Sequence, residues 1–245
     1  MKKSFLKFCF FVCIPCVLFL SGCKKEDLSS VLCQQYGLGK KLSAERSNNV
    51  KYEWYIDQAT TGEHRLWNDG PSCVAMAGKW ANPNFAMTPE EMRDFYPQEY
   101  PQEEWEWIGW YWFTMISALK GNNISHEVDQ FVHVPYLKSI LDKGHIAILD
   151  LLMYYVSRAD ESNPDWRIDR YYNVLQYNAQ QYIIVKGYKV VDETTWFEVY
   201  DPWSQGQRYS DGTFIGCDRY YRSEEVLNAA IKANHYLWMV IVHKK

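Results

Sequence analysis

The chain has 245 residues, with 26 basic and 30 acidic side chains and a net charge of −4 at pH 7. A chain of this length can bury a substantial core, and 47% hydrophobic residues is typical of a globular protein. The acidic balance disfavours nucleic acid as a partner, because no basic stripe is present that would neutralise phosphates.

The N-terminal segment MKKSFLKFCFFVCIPCVLFLSGC has a basic start and a short apolar run. This pattern predicts a cleaved signal peptide over residues 1–22, because the run is too short for a comfortable membrane span. The run ends in LSGC, which resembles the lipobox of bacterial lipoproteins and implies lipidation at Cys23. Loss of Lys2, Lys3 and Lys7 with the signal reduces 26 basic side chains to 23, against 30 acidic ones, a net of −7. We therefore expect the lipid, and not a basic patch, to hold the mature chain on its membrane.

Residues 23–50 are polar and show no steady period, which predicts a lipidated tether. The short acidic run Lys25-Glu26-Asp27 resembles the export signal of some bacterial surface lipoproteins. These resemblances imply an outer-membrane lipoprotein that faces either the periplasm or the cell surface.

Residues 51–245 are predicted to form one domain in which helices precede strands. Small and apolar residues at helical spacing predict the first helix over residues 70–81. Further helices are predicted in TPEEMRDFY, where Thr88 is the N-cap, in WEWIGWYWFTMISALKG and in VPYLKSILDKG.

The second half of the domain is predicted to be mainly strands. The runs HIAILDLLMYYV, QQYIIVKGYKVV and TWFEVYDPW are rich in β-branched and aromatic residues and are bounded by turn residues. SEEVLNAAIKAN predicts a late helix capped by Ser223, and YLWMVIVHK predicts a final strand. Helices followed by an antiparallel sheet define an α+β domain.

Four short motifs, in this order, resemble those of the papain-like cysteine peptidases, in particular the bacteriocin-leader (double-glycine) peptidase branch. In that branch a Gln that donates to the oxyanion precedes a Cys-Gly-Pro motif opening the central helix. A His then begins a strand, and an Asp-Pro pair ends the next strand. The corresponding stretches of this chain are YIDQ, with Gln58, then DGPSCVAMA, QYIIVKGY and VYDPW, with Asp201. The resemblance runs from Tyr52 to the C-terminus and implies N-terminal helices packed on a C-terminal antiparallel sheet.

The same resemblance places Asp69 at the position of the nucleophile and Gln181 at the position of the base. Thiol chemistry requires a thiolate and a histidine, and Gln181 cannot carry a proton at neutral pH. Asp69 suits a helix N-cap instead, and we expect Gln181 to donate to Asp201 in a hydrogen-bonded chain from Asp69 to Asp201. With no catalytic residue intact, the resemblance implies a pseudoenzyme that binds a peptide or protein without cutting it.

Two alternatives stay open. Cys73 lies one helical turn past Asp69 and is the rival nucleophile of an active cysteine peptidase, although core packing or a disulfide with Cys33 or Cys217 is the simpler interpretation. The other alternative is carbohydrate binding by aromatic side chains at the surface. The segment WEWIGWYWF contains many aromatic residues close together.

The polar segment SRADESNPDWRIDRYYNVLQYNA separates two predicted strands and is long for such a connection. We expect it to overhang the cleft and to supply Trp166, Tyr171 and Tyr172 as binding contacts. The spacing of Cys and His matches no metal pattern, so we expect neither a metal nor a cofactor.

Overall fold

The structure is a computed structural model that describes residues 28–97, 109–174, 176–233 and 236–244. The predicted signal peptide, Cys23 and the aromatic start of WEWIGWYWF lie outside the described residues. No helix within these ranges is long and apolar enough to cross a membrane.

The helices of the described ranges match most of the predicted ones. Helix α2 begins one residue before its predicted start, and α3 has the predicted Thr88 cap, completed as a capping box by Glu91. Helix α4 starts only at Trp112, because Tyr111 has extended backbone angles and serves as its N-cap. The bounds are α1 Leu28–Gln35, α2 Asp69–Ala81, α3 Pro89–Phe95, α4 Trp112–Gly121, α5 Val134–Asp142 and α6 Ser223–Ala233.

Seven strands form one sheet whose pairings are all antiparallel. They are β1 Leu42–Ser47, β2 His126–Gln130, β3 Ile146–Leu152, β4 Gln180–Val191, β5 Thr194–Tyr200, β6 Arg219–Arg222 and β7 Trp238–Val242. The order is β2-β7-β3-β4-β5-β6, and β1 pairs with the second half of β4. The strands predicted from the sequence are β3, β4, β5 and β7.

Alternating side chains give the sheet two apolar faces, because successive strand residues point to opposite sides. Ile148 and Ile184 belong to a core cluster with Trp80 of α2 and neighbouring helical residues. Leu149 and Ile183, one residue away along each strand, belong to a second cluster with residues of α5 and α6. The sheet therefore lies between two layers of helices, and α2 belongs to one of these layers.

Part of the predicted tether is folded, since α1 and β1 both lie before residue 51. Cys33 of α1 packs in a third buried cluster, and β1 pairs with β4. The Asp192 carboxylate also accepts the backbone N–H groups of Lys40 and Lys41, at 2.8 and 3.0 Å. This segment is docked on the domain, and its polar composition follows from the mostly exposed side chains of an edge strand.

Strand β4 also carries a buried charge. The Lys186 ammonium is fully buried and pairs with Glu198 of β5 and with Asp218, 2.7 Å away. It lies 4.8 Å from the centre of the Tyr200 ring. Burial opposes the charged form, but the two carboxylates outweigh burial and raise the pKa of Lys186. The ion pairs fasten β4 to β5 and to the loop before β6.

Candidate functional site

The site lies where α2 begins beside the first residues of β4. Asn68 is the N-cap of α2, and its side chain donates to the backbone oxygen of Thr61 at 2.9 Å instead of capping the helix. The prediction that Asp69 is the N-cap is wrong by one position, because Asp69 is the first helical residue. Its Oδ2 accepts the backbone N–H of Tyr182 at 3.0 Å. The Asp69 carboxylate therefore ties the helix to the strand.

Burial raises the pKa of Asp69 above the ordinary value for a carboxyl group. The backbone N–H groups of Tyr182 and Gly70 oppose this shift, as does the charge of Arg93. A carboxylate at a helix N-terminus is electrostatically favoured, but it offers no nucleophile comparable to a thiolate.

Gln58 and Gln181 contact each other directly. Gln58 is buried in a 3₁₀ turn ahead of α2, and its Nε2 donates to the Arg65 carbonyl at 3.0 Å. Because a carbonyl oxygen can only accept, this contact turns Oε1 of Gln58 towards β4. There it accepts from Nε2 of Gln181 at 2.8 Å. The amide that would donate to an oxyanion and the residue at the base position thus satisfy one another.

Asp201 follows β5, is fully buried and has partners other than the predicted one. Its Oδ2 accepts the hydroxyls of Tyr221 at 2.6 Å and of Tyr172 at 3.0 Å, and its Oδ1 accepts the backbone N–H of Trp203 at 3.0 Å. Burial raises its pKa, and these hydrogen bonds oppose the rise.

The predicted hydrogen-bonded chain from Asp69 through Gln181 to Asp201 is therefore wrong. Gln181 donates to Gln58, and the hydroxyl of Tyr172 helps to satisfy Asp201. The structure brings the four motif residues to one region of the fold, but as three separate contacts.

Cys73 does not meet the requirements of a nucleophile. Its side chain is fully buried in the core cluster on the α2 side of the sheet. Burial raises its pKa well above the ordinary thiol value, and the charges of Asp69 and Asp201 add to this effect. Cys73 and Cys217 form no disulfide, so the disulfide interpretation of Cys73 is wrong and core packing is its observed role.

Three adjoining cavities form a cleft across the start of β4. The Gln181 cavity, of about 560 Å³, is lined by Gln58, Gln181 and Trp203 among others. The Asp69 cavity, of about 330 Å³, shares Gln180 and neighbouring residues with it. The aromatic cavity, of about 310 Å³, shares Gln180 and Asp150 with the Asp69 cavity. The motif residues Gln58, Asp69 and Gln181 thus face one continuous cleft.

The long polar segment does overhang this cleft, but only part of its predicted contact set faces it. Tyr172 lines the Gln181 cavity, together with Gln176 of the same segment. Trp166 instead packs in the N-terminal cluster, where the ring approaches Gly37 so closely that a Cβ there would clash at 2.7 Å. Tyr171 contacts Tyr172 edge to face and lines none of the three cavities. The binding role predicted for Trp166 is wrong for this cleft.

Asp150 is a site residue that the motifs did not indicate. It lies in β3 opposite Tyr182, and burial, followed by the charge of Asp69, raises its pKa to about 8. The sequence signal is a single carboxylate inside the apolar run AILDLLM, where a buried charge is costly without a role. Within the described ranges, no group of three or more His, Cys, Asp or Glu side chains could hold a metal ion.

The chain has the α+β papain-like fold that the sequence predicts. Helices cover both faces of an antiparallel sheet, and a central helix begins beside the first residues of one strand. The structure is similar to the crystal structure of a C39-like peptidase from Bacillus anthracis, with a TM-score of 0.52. The match covers 83% of this chain and 99% of the other at 14% identity, so it establishes the fold alone. No protein-family model and no curated protein matches the chain.

Proposed function

We propose that this chain is a membrane-anchored lipoprotein whose papain-like domain binds a peptide or protein partner in the cleft without cleaving it. The observation that carries the proposal is the hydrogen bond between Gln58 and Gln181. It joins the two positions that a cysteine peptidase needs for oxyanion binding and proton transfer. With Asp69 in place of a thiol and Gln181 in place of a histidine, nucleophilic attack and proton transfer both lack their groups.

The cleft lining suits a peptide backbone. Extended peptides present alternating N–H and C=O groups, and side-chain amides supply both a donor and acceptors. Gln176, Asn178 and Gln180 are exposed and line the two cavities beside Gln58 and Gln181. Leu66 and Trp67, with exposed fractions of 60% and 40%, add an apolar rim for side chains.

Ala179 provides a test, because it lines both the Gln181 cavity and the Asp69 cavity. Ala179→Trp should fill the cleft and weaken binding of peptides selected from a random phage-displayed library by at least tenfold, measured by calorimetry. Ala44→Trp on exposed β1 makes the same change away from the cleft and should leave affinity unchanged.

Two results would contradict the proposal. One is a library that yields peptides insensitive to Ala179→Trp. The other is cleavage of selected peptides, detected by mass spectrometry and abolished by Cys73→Ala, which would restore the peptidase alternative.

The anchor has its own test. Because LSGC ends a short apolar run, Cys23→Ser should abolish lipid attachment and move the chain from the membrane fraction to the soluble fraction, or block its maturation. Cys16→Ser, inside the apolar run, is the matched control and should partition like the wild type. Unchanged membrane partitioning of Cys23→Ser would rule out the lipid anchor.

A further inference from the structure

The aromatic cavity differs from the rest of the cleft in its lining. Among the described residues, five aromatic side chains line it: Tyr111, Trp112, Tyr182, Tyr236 and Trp238. The rings of Trp112 and Trp238 stack with centroids 5.4 Å apart, and Tyr236 continues the stack 6.2 Å from Trp238. Such a row presents the electron-rich faces and edges of several rings to one small space.

Asp150 lies between this cavity and the Asp69 cavity. Asp150 lines both, and its Oδ2 accepts from Nε2 of Gln180 at 3.2 Å. Its Oδ1 is buried and has no hydrogen-bond partner in the described part of the chain. A buried carboxyl oxygen without a partner is costly, so it marks a place where a ligand could supply the missing interaction.

The charge of the region is one-sided. Asp69 and Asp150 are the charged residues that line these two cavities in the described structure, and no Lys, Arg or His lines either. A cation placed between the rings would therefore meet aromatic faces and a carboxylate, with no positive side chain among the described residues that line the cavity. Rings around a cation attract it through their quadrupoles, most strongly where water is excluded.

We propose that the aromatic cavity binds an alkylammonium group, with the cation beside Asp150 and its carbon substituents against the aromatic rings. The cavity of about 310 Å³ suits one such group and not a whole peptide, since ligand pockets start at about 300 Å³. The group can belong to a lysine side chain of a bound peptide or to a free quaternary amine. The first case rests on the proposed peptide-binding function, whereas the second is independent of it.

The titratable groups that face Asp150 are Asp69 from α2, Tyr182 from β4, and Tyr111 and Tyr236 ahead of α4 and β7. Asp69 is the other carboxyl group among them, and its charge helps to raise the pKa of Asp150. With that pKa at about 8, Asp150 must release a proton to pair with a cation at neutral pH. Affinity for a permanently charged amine should therefore rise almost tenfold between pH 6 and 7 and about fivefold between pH 7 and 8, and level off above.

The experiment titrates the mature chain, carrying Cys23→Ser, with tetramethylammonium and with N-acetyl-lysine amide by calorimetry. Tert-butanol is the neutral control of nearly the same shape as tetramethylammonium. Asp150→Asn should weaken binding of the cations at least tenfold at pH 9 and remove the rise with pH. Glu193→Gln, in the β4–β5 turn about 30 Å along the strand, also removes one negative charge and should bind as the wild type does.

The outcomes separate the possibilities. Tighter binding of tetramethylammonium than of the lysine amide identifies a free quaternary amine as the ligand class, and the reverse order identifies a lysine side chain. Equal binding of tert-butanol, or cation binding unaffected by Asp150→Asn, would overturn the proposal. Asp150→Asn should keep or raise the melting temperature, because it removes a buried carboxyl group whose Oδ1 has no hydrogen-bond partner in the described part of the chain. A melting temperature at or above that of the wild type would separate weaker binding from unfolding. Failure of the alkylammonium site leaves the Ala179→Trp result standing, so the two proposals fail separately.

Discussion

Lys186→Met should destabilise the fold by about 3–5 kcal/mol, because removing one partner of a buried ion pair leaves the other charge uncompensated. The substitution leaves buried Glu198 and partly buried Asp218 without their shared cation. For a domain of this size, such a loss corresponds to a fall in melting temperature of roughly 10 °C. Thermal unfolding followed by circular dichroism measures it.

Lys189→Met on the same strand is the matched control. Lys189 pairs with Glu45 near the surface, where an ion pair contributes at most about 1 kcal/mol. Because the pKa of Lys186 is raised, its pairs stabilise the fold throughout the range below the ordinary lysine pKa and are lost only as the pH rises through the raised value. The deficit of Lys186→Met should thus be the same at pH 6 and pH 9. Equal melting temperatures for the two variants would show that the buried cluster is not a net source of stability.

The double change Asp69→Cys with Gln181→His should restore a reactive thiol. The Asp69 carboxylate accepts the backbone N–H of Tyr182, and residue 181 is the adjacent position on β4. The two substituted positions are therefore close to each other. A helix N-terminus and an adjacent imidazolium both favour the thiolate, and together they lower a thiol pKa from about 8.5 to between about 3.5 and 7.5. Asp69→Cys alone has the helix but lacks the imidazolium, so its thiol pKa should stay closer to the ordinary value.

The measurement is the rate of alkylation at residue 69 from pH 5 to 9, read by peptide mass spectrometry in a Cys23→Ser background. Cys33, Cys73 and Cys217 are buried and should label slowly in both variants. At pH 6 the double variant should react at least tenfold faster than Asp69→Cys. Coinciding pH profiles would show that residues 69 and 181 do not meet, and would refute the assignment of both positions.

Local sequence signals predicted much of the framework. The Thr88 capping box is complete within four residues, and the β-branched and aromatic runs of β3, β4 and β5 are long enough to define strands. The motifs placed Gln58, Asp69, Gln181 and Asp201 in the same region of the fold because each lies at the end of such an element. Local pattern and tertiary structure agree at these positions.

What the sequence did not predict depends on contacts between distant segments. Strand β1 has little apolar pattern and is held by backbone pairing to β4, about 145 residues away. The partners of Asp201 come from the overhanging segment and from β6, so spacing could not reveal that two tyrosines would replace Gln181. The raised pKa of Asp150 depends on its burial and on the charge of Asp69, and both follow from the tertiary structure.

The N-terminal segment is docked on the domain, and this docking determines the distance between the membrane and the cleft. If Cys23 carries the lipid, four residues separate it from the start of α1, and the five residue steps from Cys23 to Leu28 span only about 17 Å when fully extended. Because β1 pairs with the last residues of β4 and the cleft lies at the first, the cleft is about 30 Å along the strand from this attachment. A tether this short would hold one end of the domain close to the bilayer. The cleft would open towards the aqueous phase, where bulky ligands approach without hindrance from lipid.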